Sequence, residues 1–167
     1  MRFLHQSALW GGLITVLAVL TLTLAGVSNA RAKNPFDSLL GTWTGSGKLV
    51  LQSGQWEIIK CNAYYTGGGS ELRLAVRCAS ASYKVEIRSK LSRVGDKISG
   101  TWEERTYNAA GSVSGHALAN RLSFLISDAG FSGSMSVSYG KSEQSVSIIT
   151  KGINLRRVNM TLSKIVE

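Results

Sequence analysis

The amino-acid sequence predicts an all-β protein, an up-and-down antiparallel β-barrel of roughly 8–10 strands. Three observations carry this expectation. Apolar and polar residues alternate along most of the chain, the period of a strand with one buried face. Clusters of Gly, Ser, Asn and Asp interrupt the alternation roughly every 8–15 residues. The chain has 18 glycines, one proline and 17% charged residues, which excludes a disordered tail, a coiled coil or a collagen-like chain. Short connections between such strands favour pairing of sequence neighbours, and closing the meander removes its edges.

The first segment lies outside the expected barrel. Ala8 to Val27 carries no charge, Arg2 precedes it, and Ser28-Asn29-Ala30-Arg31-Ala32 follows it. This is the layout of a secretory signal peptide over residues 1–32, with cleavage after Ala30 or Ala32. The rival is an uncleaved anchor helix, since about 20 apolar residues span a bilayer; the well-placed small residues favour cleavage. Val27 occupies the position where Leu24-Ala25-Gly26 would need a cysteine for lipidation, so no lipid anchor is expected. The mature chain is then a single domain, residues 33–167, in the periplasm or secreted.

Within that domain, Asn34 to Leu40 is able to form a short helical turn, and strands follow. Cys61 and Cys78 are the only cysteines, which suits one disulfide in an oxidising compartment. Between them lies the turn-rich Thr66-Gly67-Gly68-Gly69-Ser70. If the cysteines face each other across a hairpin, Ala63 faces Val76 and Tyr65 faces Leu74, with the loop near Gly68 to Glu71. Leu72, Leu74, Val76 and Cys78 then share one face. Tyr83, Val85, Ile87, Ser89 and Leu91 alternate with Lys84, Glu86, Arg88 and Lys90. The pattern continues through Ile98 to Trp102, Phe131 to Tyr139, Val146 to Ile148 and Val158 to Leu162. Around Ala119-Asn120-Arg121 either a turn or a bulge fits. Interior glycines at 45, 47, 100, 115 and 133 suit the bends of a small barrel. An outer-membrane barrel also alternates, but its outward face must be apolar. Here that face is Lys-Glu-Arg-Lys on one strand and serine on another, so the apolar face points inward.

Leu40-Gly41-Thr42-Trp43 opens the first strand with Gly-x-Trp. It resembles the opening of lipocalins, and Gly41-Thr42-Trp43-Thr44 is similar to the opening of avidin-type barrels. The lipocalin resemblance implies a tryptophan that closes one barrel end beneath an arginine from a late strand, here Arg156 or Arg157. The chain is also similar to small periplasmic inhibitors of secreted metalloproteases, which share an avidin-like barrel, a first-strand tryptophan and one disulfide. That resemblance implies an inhibitory N-terminal trunk, Lys33 to Leu39. Gly-Thr-Trp recurs at Gly100 to Trp102 with flanks that do not align, which points to chance rather than duplication.

Catalytic signals are sparse. His116, the one histidine after the leader, falls on the face opposite Val113, Gly115 and Ala117 and is expected at the surface. With no second histidine or free cysteine beside it, no metal site, haem or other cofactor is expected. Glu103 and Glu104 point to opposite faces and cannot form the carboxylate pair of a glycosidase. Glu104 falls on the tryptophan-bearing face, where it needs a partner such as an arginine. Gly111-Ser112-Val113-Ser114-Gly115 matches a nucleophile elbow literally but lacks the helix that should follow. The expectation is therefore a non-enzyme.

The chain is basic, with 19 Lys and Arg against 10 Asp and Glu, and it stays basic without Arg2 and Arg31. This would attract anionic lipid, lipopolysaccharide or nucleic acid, yet no basic run exceeds Arg156-Arg157. A solvated face is expected, with no nucleic-acid partner and no stable membrane insertion after cleavage. The leading functional expectation is binding of a small, partly apolar ligand in or at the mouth of the barrel. Candidate ligand residues are Trp43, Trp56, Tyr65, Tyr83, Trp102, Glu104, Phe131 and Tyr139, each of which would serve equally as core. The alternative is a protein-binding module, such as a periplasmic protease inhibitor or envelope-associated factor. Filling the interior through Gly45→Leu or Gly133→Leu would separate the two readings.

Overall fold

The computed structural model describes residues 34–128 and 130–166, so the expected leader, its cleavage sites and Lys33 lie outside the described residues. A short helix, α1 (Pro35–Leu39), precedes ten strands: β1 (Gly41–Leu51), β2 (Trp56–Gly68), β3 (Glu71–Ala79), β4 (Lys84–Val94), β5 (Lys97–Glu104), β6 (Ala109–Leu118), β7 (Arg121–Ser127), β8 (Ser132–Tyr139), β9 (Glu143–Lys151) and β10 (Leu155–Lys164). Each strand pairs antiparallel with its sequence neighbours, and β1 pairs with β10 to close the barrel. The strand number is the upper limit of the expectation. Ala119 and Asn120 form a turn, with Ala119 in the left-handed region at φ 48°.

The cysteine hairpin has the expected register. Cys61 pairs with Cys78, Ala63 with Val76 and Tyr65 with Leu74, and Cys61 and Cys78 form the disulfide across 17 residues of sequence. Closing a loop of that size adds about 3 kcal/mol in the chain-entropy model. The turn needs glycine, because Gly67, Gly68 and Gly69 all have positive φ.

One end of the barrel is plugged. Asn34 caps α1 by accepting from the Phe36 N–H at 3.0 Å, and Pro35 suits the first helical position. Two bonds tie the helix to the β2–β3 turn. Asn34 Nδ2 donates to Gly69 O at 2.6 Å and the Gly69 N–H donates to Asp37 Oδ1 at 2.8 Å. Phe36 and Leu39 are buried, and fully buried Trp43 donates its indole N–H to Leu39 O at 2.7 Å. The Lys164 Nζ stands 5.3 Å from the Trp43 ring centroid, and the two residues are register partners. The cation over the tryptophan is thus Lys164, not Arg156 or Arg157. Closure of β1 on an antiparallel β10 brings the end of β10, rather than its beginning, to the start of β1.

The opposite end has no helix among the described residues. Leu51, Glu104 and Thr150 are buried there, but Cys78, Tyr83, Trp102 and Leu155 are only partly covered. Trp43 therefore closes one end while Trp102, from the second Gly-Thr-Trp, stands near the other, so the repeat marks no structural symmetry.

The outer wall is polar. β4 presents Lys84, Arg88 and Lys90, and β8 presents Ser132 and Ser134, which gives no continuous apolar band of the kind a membrane barrel requires. Inside, strand glycines allow neighbouring backbones to approach closely. A Cβ at Gly45 would overlap Thr161 O and lie 2.8 Å from Leu162 Cα. Gly45→Leu would therefore break the β1–β10 contact rather than fill a cavity. Gly45→Ala should destabilise by about 1–3 kcal/mol, whereas Gly130→Ala, where nothing lies within 4 Å, should change stability by less than about 0.5 kcal/mol. Urea denaturation midpoints check both values.

Candidate functional site

Alternation divides each strand into an inner and an outer set, and the inner set changes along the barrel axis. Near the plugged end, Phe36, Leu39, Trp43, Leu72, Leu122 and Leu162 are at most 2% exposed. Towards the uncovered end, Leu74, Val76, Tyr83, Trp102, Met135, Ile148, Leu155 and Met160 are partly exposed while still packed on the core. Leu49, Ile59 and Val158 in the same half stay buried, so the partial cover is confined to this set of inner side chains, called the cup below.

The expected ligand residues separate into four groups. Trp43, Tyr65 and Tyr139 belong to the plugged end. The Tyr139 hydroxyl donates to Ala119 O at 2.9 Å, and the Tyr65 hydroxyl donates to Gln144 Oε1 at 3.3 Å. Burial raises both phenol pKa values, that of Tyr65 to about 12. Tyr83, Trp102 and Phe131 lie at the uncovered end, where Asn154 Nδ2 donates to the Tyr83 hydroxyl at 3.5 Å. Trp102 and Phe131 meet edge to face with centroids 5.7 Å apart, and the buried Trp102 Nε1 has no partner among the described residues. Trp56 is placed differently from the expectation: it is 56% exposed on the outer wall, with Lys48 Nζ 4.2 Å from its ring centroid. Side-chain parity explains this, because Ile59 and Cys61 face inward and even-numbered β2 residues face out.

Glu104 is buried but has no arginine partner. Its carboxylate accepts from the backbone N–H groups of Glu86 at 2.9 Å, Thr106 at 3.0 Å and Tyr107 at 2.6 Å. Burial pushes its pKa up, but these bonds outweigh that effect and hold the carboxyl below its ordinary value of 4.5. Glu104 thus ties the β5–β6 turn to β4. With its oxygens committed to amides, it is a turn-fastening group rather than a ligand contact.

His116 is exposed on the outer wall, with Nδ1 3.4 Å from Asp96 Oδ2. Among the described residues, no group of His, Cys, Asp and Glu is arranged to hold a metal ion. Two depressions lie on the outer wall. One, of about 660 Å³, is lined by Ser114, Ser123, Leu125, Ser134 and Ile149, among others. The second, of about 610 Å³, includes Ser46, Ser138, Ser145 and Thr161. The segment resembling an inhibitory trunk is seated on the barrel from Asn34 onward, with Phe36 and Leu39 buried.

Gln144, Met135 and Met160 were missed as candidates. Extending the even-numbered parity of Val146 and Ile148 by one step would place Gln144 inside, but its polar neighbours Glu143 and Ser145 make the segment resemble a turn.

No family model matches the sequence, and no curated protein matches it. The fold does match solved structures. Rv2717c from M. tuberculosis superposes with a TM-score of 0.66 at 11% identity, covering 82% of this chain and 99% of that one. An S-type phycobiliprotein lyase, CPES from Guillardia theta, superposes with a TM-score of 0.57 at 10% identity, covering 79% of this chain and 90% of that one. With the closed ten-strand topology, these likenesses show the fold, a closed antiparallel β-barrel, and fit the lipocalin-type resemblance without assigning a family. They also correct the expectation of a non-enzyme. A barrel of this shape is a lyase, so the missing nucleophile elbow and carboxylate pair do not exclude catalysis on this fold.

The Glu104 geometry sets a pH dependence. Its carboxyl pKa is lower in the folded chain than in the unfolded one, so its contribution is complete above about 4.5 and is lost as pH falls through the folded value. Glu104→Gln should cost about 1–3 kcal/mol at pH 7 and flatten the acid limb of stability against pH, as thermal unfolding between pH 3 and pH 7 would register.

Proposed function

We propose that this chain is an exported barrel that binds a small, largely apolar ligand in the open half of its interior. The observation that carries the reading is the partial exposure of Leu74, Val76, Tyr83, Trp102, Met135, Ile148, Leu155 and Met160 on the inner face. A barrel packed solely for stability would cover these side chains as thoroughly as those around Trp43, because exposed apolar surface forgoes about 25 cal/mol per Å². An apolar ligand would recover that energy by displacing water from the cup. Trp102 and Tyr83 add flat surfaces with polar edges at the mouth.

Export is supported by the charge-free stretch from Ala8 to Val27 with its small-residue boundary, and by the Cys61–Cys78 disulfide. The fold likeness to a phycobiliprotein lyase supports this barrel shape as one that carries more than a structural role.

The direct test is titration of the mature chain with N-phenyl-1-naphthylamine, an apolar dye that brightens out of water. Trp102→Ala should weaken dye binding by about tenfold through lost contact area. Trp56→Ala, on the outer wall, should leave binding within about twofold. Equal effects of the two substitutions, or no dye binding, would contradict the reading.

A further inference from the structure

Gln144 is 1% exposed and sits on the inner face of β9 near the plugged end. Tyr65, which donates to its Oε1, belongs to β2, and β1 and β10 lie between these strands. The hydrogen bond therefore spans the barrel interior instead of running along its wall. Gln144 Nε2 has no partner among the described residues.

Donor counting defines what this pair accepts. The amide carries two N–H donors and the phenol one O–H donor, and their mutual bond uses one of the three. Exchanging the amide oxygen and nitrogen leaves the same count, so the surplus of donors does not depend on the amide orientation. Trp102 Nε1 and Arg93 Nε are likewise buried without a partner among the described residues, whereas the buried polar residues besides Gln144 are occupied by the chain itself. Ser89 donates to Thr101 O, Thr150 donates to Leu155 O and Glu104 accepts from three amides.

The group that fits is a hydrogen-bond acceptor, and it is neutral. The buried polar and charged residues are Ser89, Glu104, Gln144 and Thr150, which include no cation. Two cations stand at this end: Lys164 is engaged over the Trp43 ring, and Arg93, whose charge acts on Tyr139, donates to Gly95 O. A carboxylate or phosphate drawn down to Gln144 would still have to shed its hydration in the interior. A ketone, ester or amide oxygen would fill the spare donors at no such cost. Burial, which raises the Tyr65 pKa to about 12, keeps the phenol a neutral donor at ordinary pH.

We infer that Gln144 and Tyr65 form the hydrogen-bonding floor of the cup and take the neutral carbonyl-type oxygen of an otherwise apolar ligand. The inference rests on the apolar cup proposed above and adds the polar group that orients its occupant. Along β9, Val146 and Ile148 separate Gln144 from the mouth near Thr150, a path of about 20 Å at 3.4 Å per residue. An elongated ligand with its carbonyl at the leading end matches that path.

Two dyes separate this inference from the reading beneath it. N-phenyl-1-naphthylamine has no carbonyl, whereas prodan is a naphthyl ketone of similar size. Gln144→Leu should weaken prodan by about tenfold, the worth of one hydrogen bond, and leave N-phenyl-1-naphthylamine within about twofold. On the wild-type chain, the infrared carbonyl stretch of bound prodan should lie below its frequency in hexane, so the test survives if Gln144→Leu does not fold. Equal effects on the two dyes, or a bound carbonyl stretch equal to that in hexane, would overturn the inference and leave the cup standing. Failure of the wild type to bind N-phenyl-1-naphthylamine, with Gln144-dependent prodan binding, would overturn the apolar reading and leave the polar floor.

Discussion

The indole of Trp43 organises one end of this barrel. Its N–H reaches the Leu39 carbonyl at the end of α1, its face carries Lys164 from the last strand, and its body is fully buried. It therefore joins the N-terminal helix, the first strand and the closing strand in one contact set. The bond to Leu39 satisfies a helix C-terminal carbonyl that would otherwise be buried unpaired. With that end sealed by Trp43, Phe36 and Leu39, the cup faces the other.

Two sets of constraints then divide the wall. Inward positions near the plug are large and buried, whereas towards the opposite mouth buried Leu49, Ile59 and Val158 stand among partly exposed Tyr83, Trp102 and Leu155. Outward positions on β6 to β9 are largely serine, including Ser112, Ser114, Ser123, Ser134, Ser136 and Ser147. This neutral surface contrasts with the charged β3 and β4 wall, where Glu86 pairs with Arg77, Arg88 and Arg105. Exposed pairs of this kind contribute little to stability. Hairpin pairing, the disulfide and inward packing define the barrel, while the chemistry of any occupant lies with a few side chains inside. The same division explains why a lyase shares the shape at 10% identity: the fold constrains the wall and leaves the interior free to vary.

Much of this architecture was legible because strand parity is a strict signal. Two cysteines facing each other across a hairpin determined the β2–β3 register, and the odd-numbered apolar set of β4 identified its inner face. Parity is hard to read where apolar residues adjoin, as at Ile58-Ile59, and there Trp56 was assigned to the wrong face. Lys164 required the endpoint of the last strand, which alternation locates poorly. Glu104 was correctly placed on the inner face, but its partners are backbone amides of a turn, which leave no side-chain signature. Gln144 escaped notice because its partner, Tyr65, belongs to a strand that meets it across the interior, at a sequence distance of 79 residues.

The claim that an apolar occupant enters the open half of the interior is tested most directly by methyl NMR. The mature chain, labelled at Ile, Leu, Val and Met methyls, would be titrated with N-phenyl-1-naphthylamine and searched for contacts between protein and dye. The account predicts contacts to Leu74, Val76 and Ile148. Contacts confined to Leu125 and Ile149 on the outer wall, or no contacts at all, would contradict it.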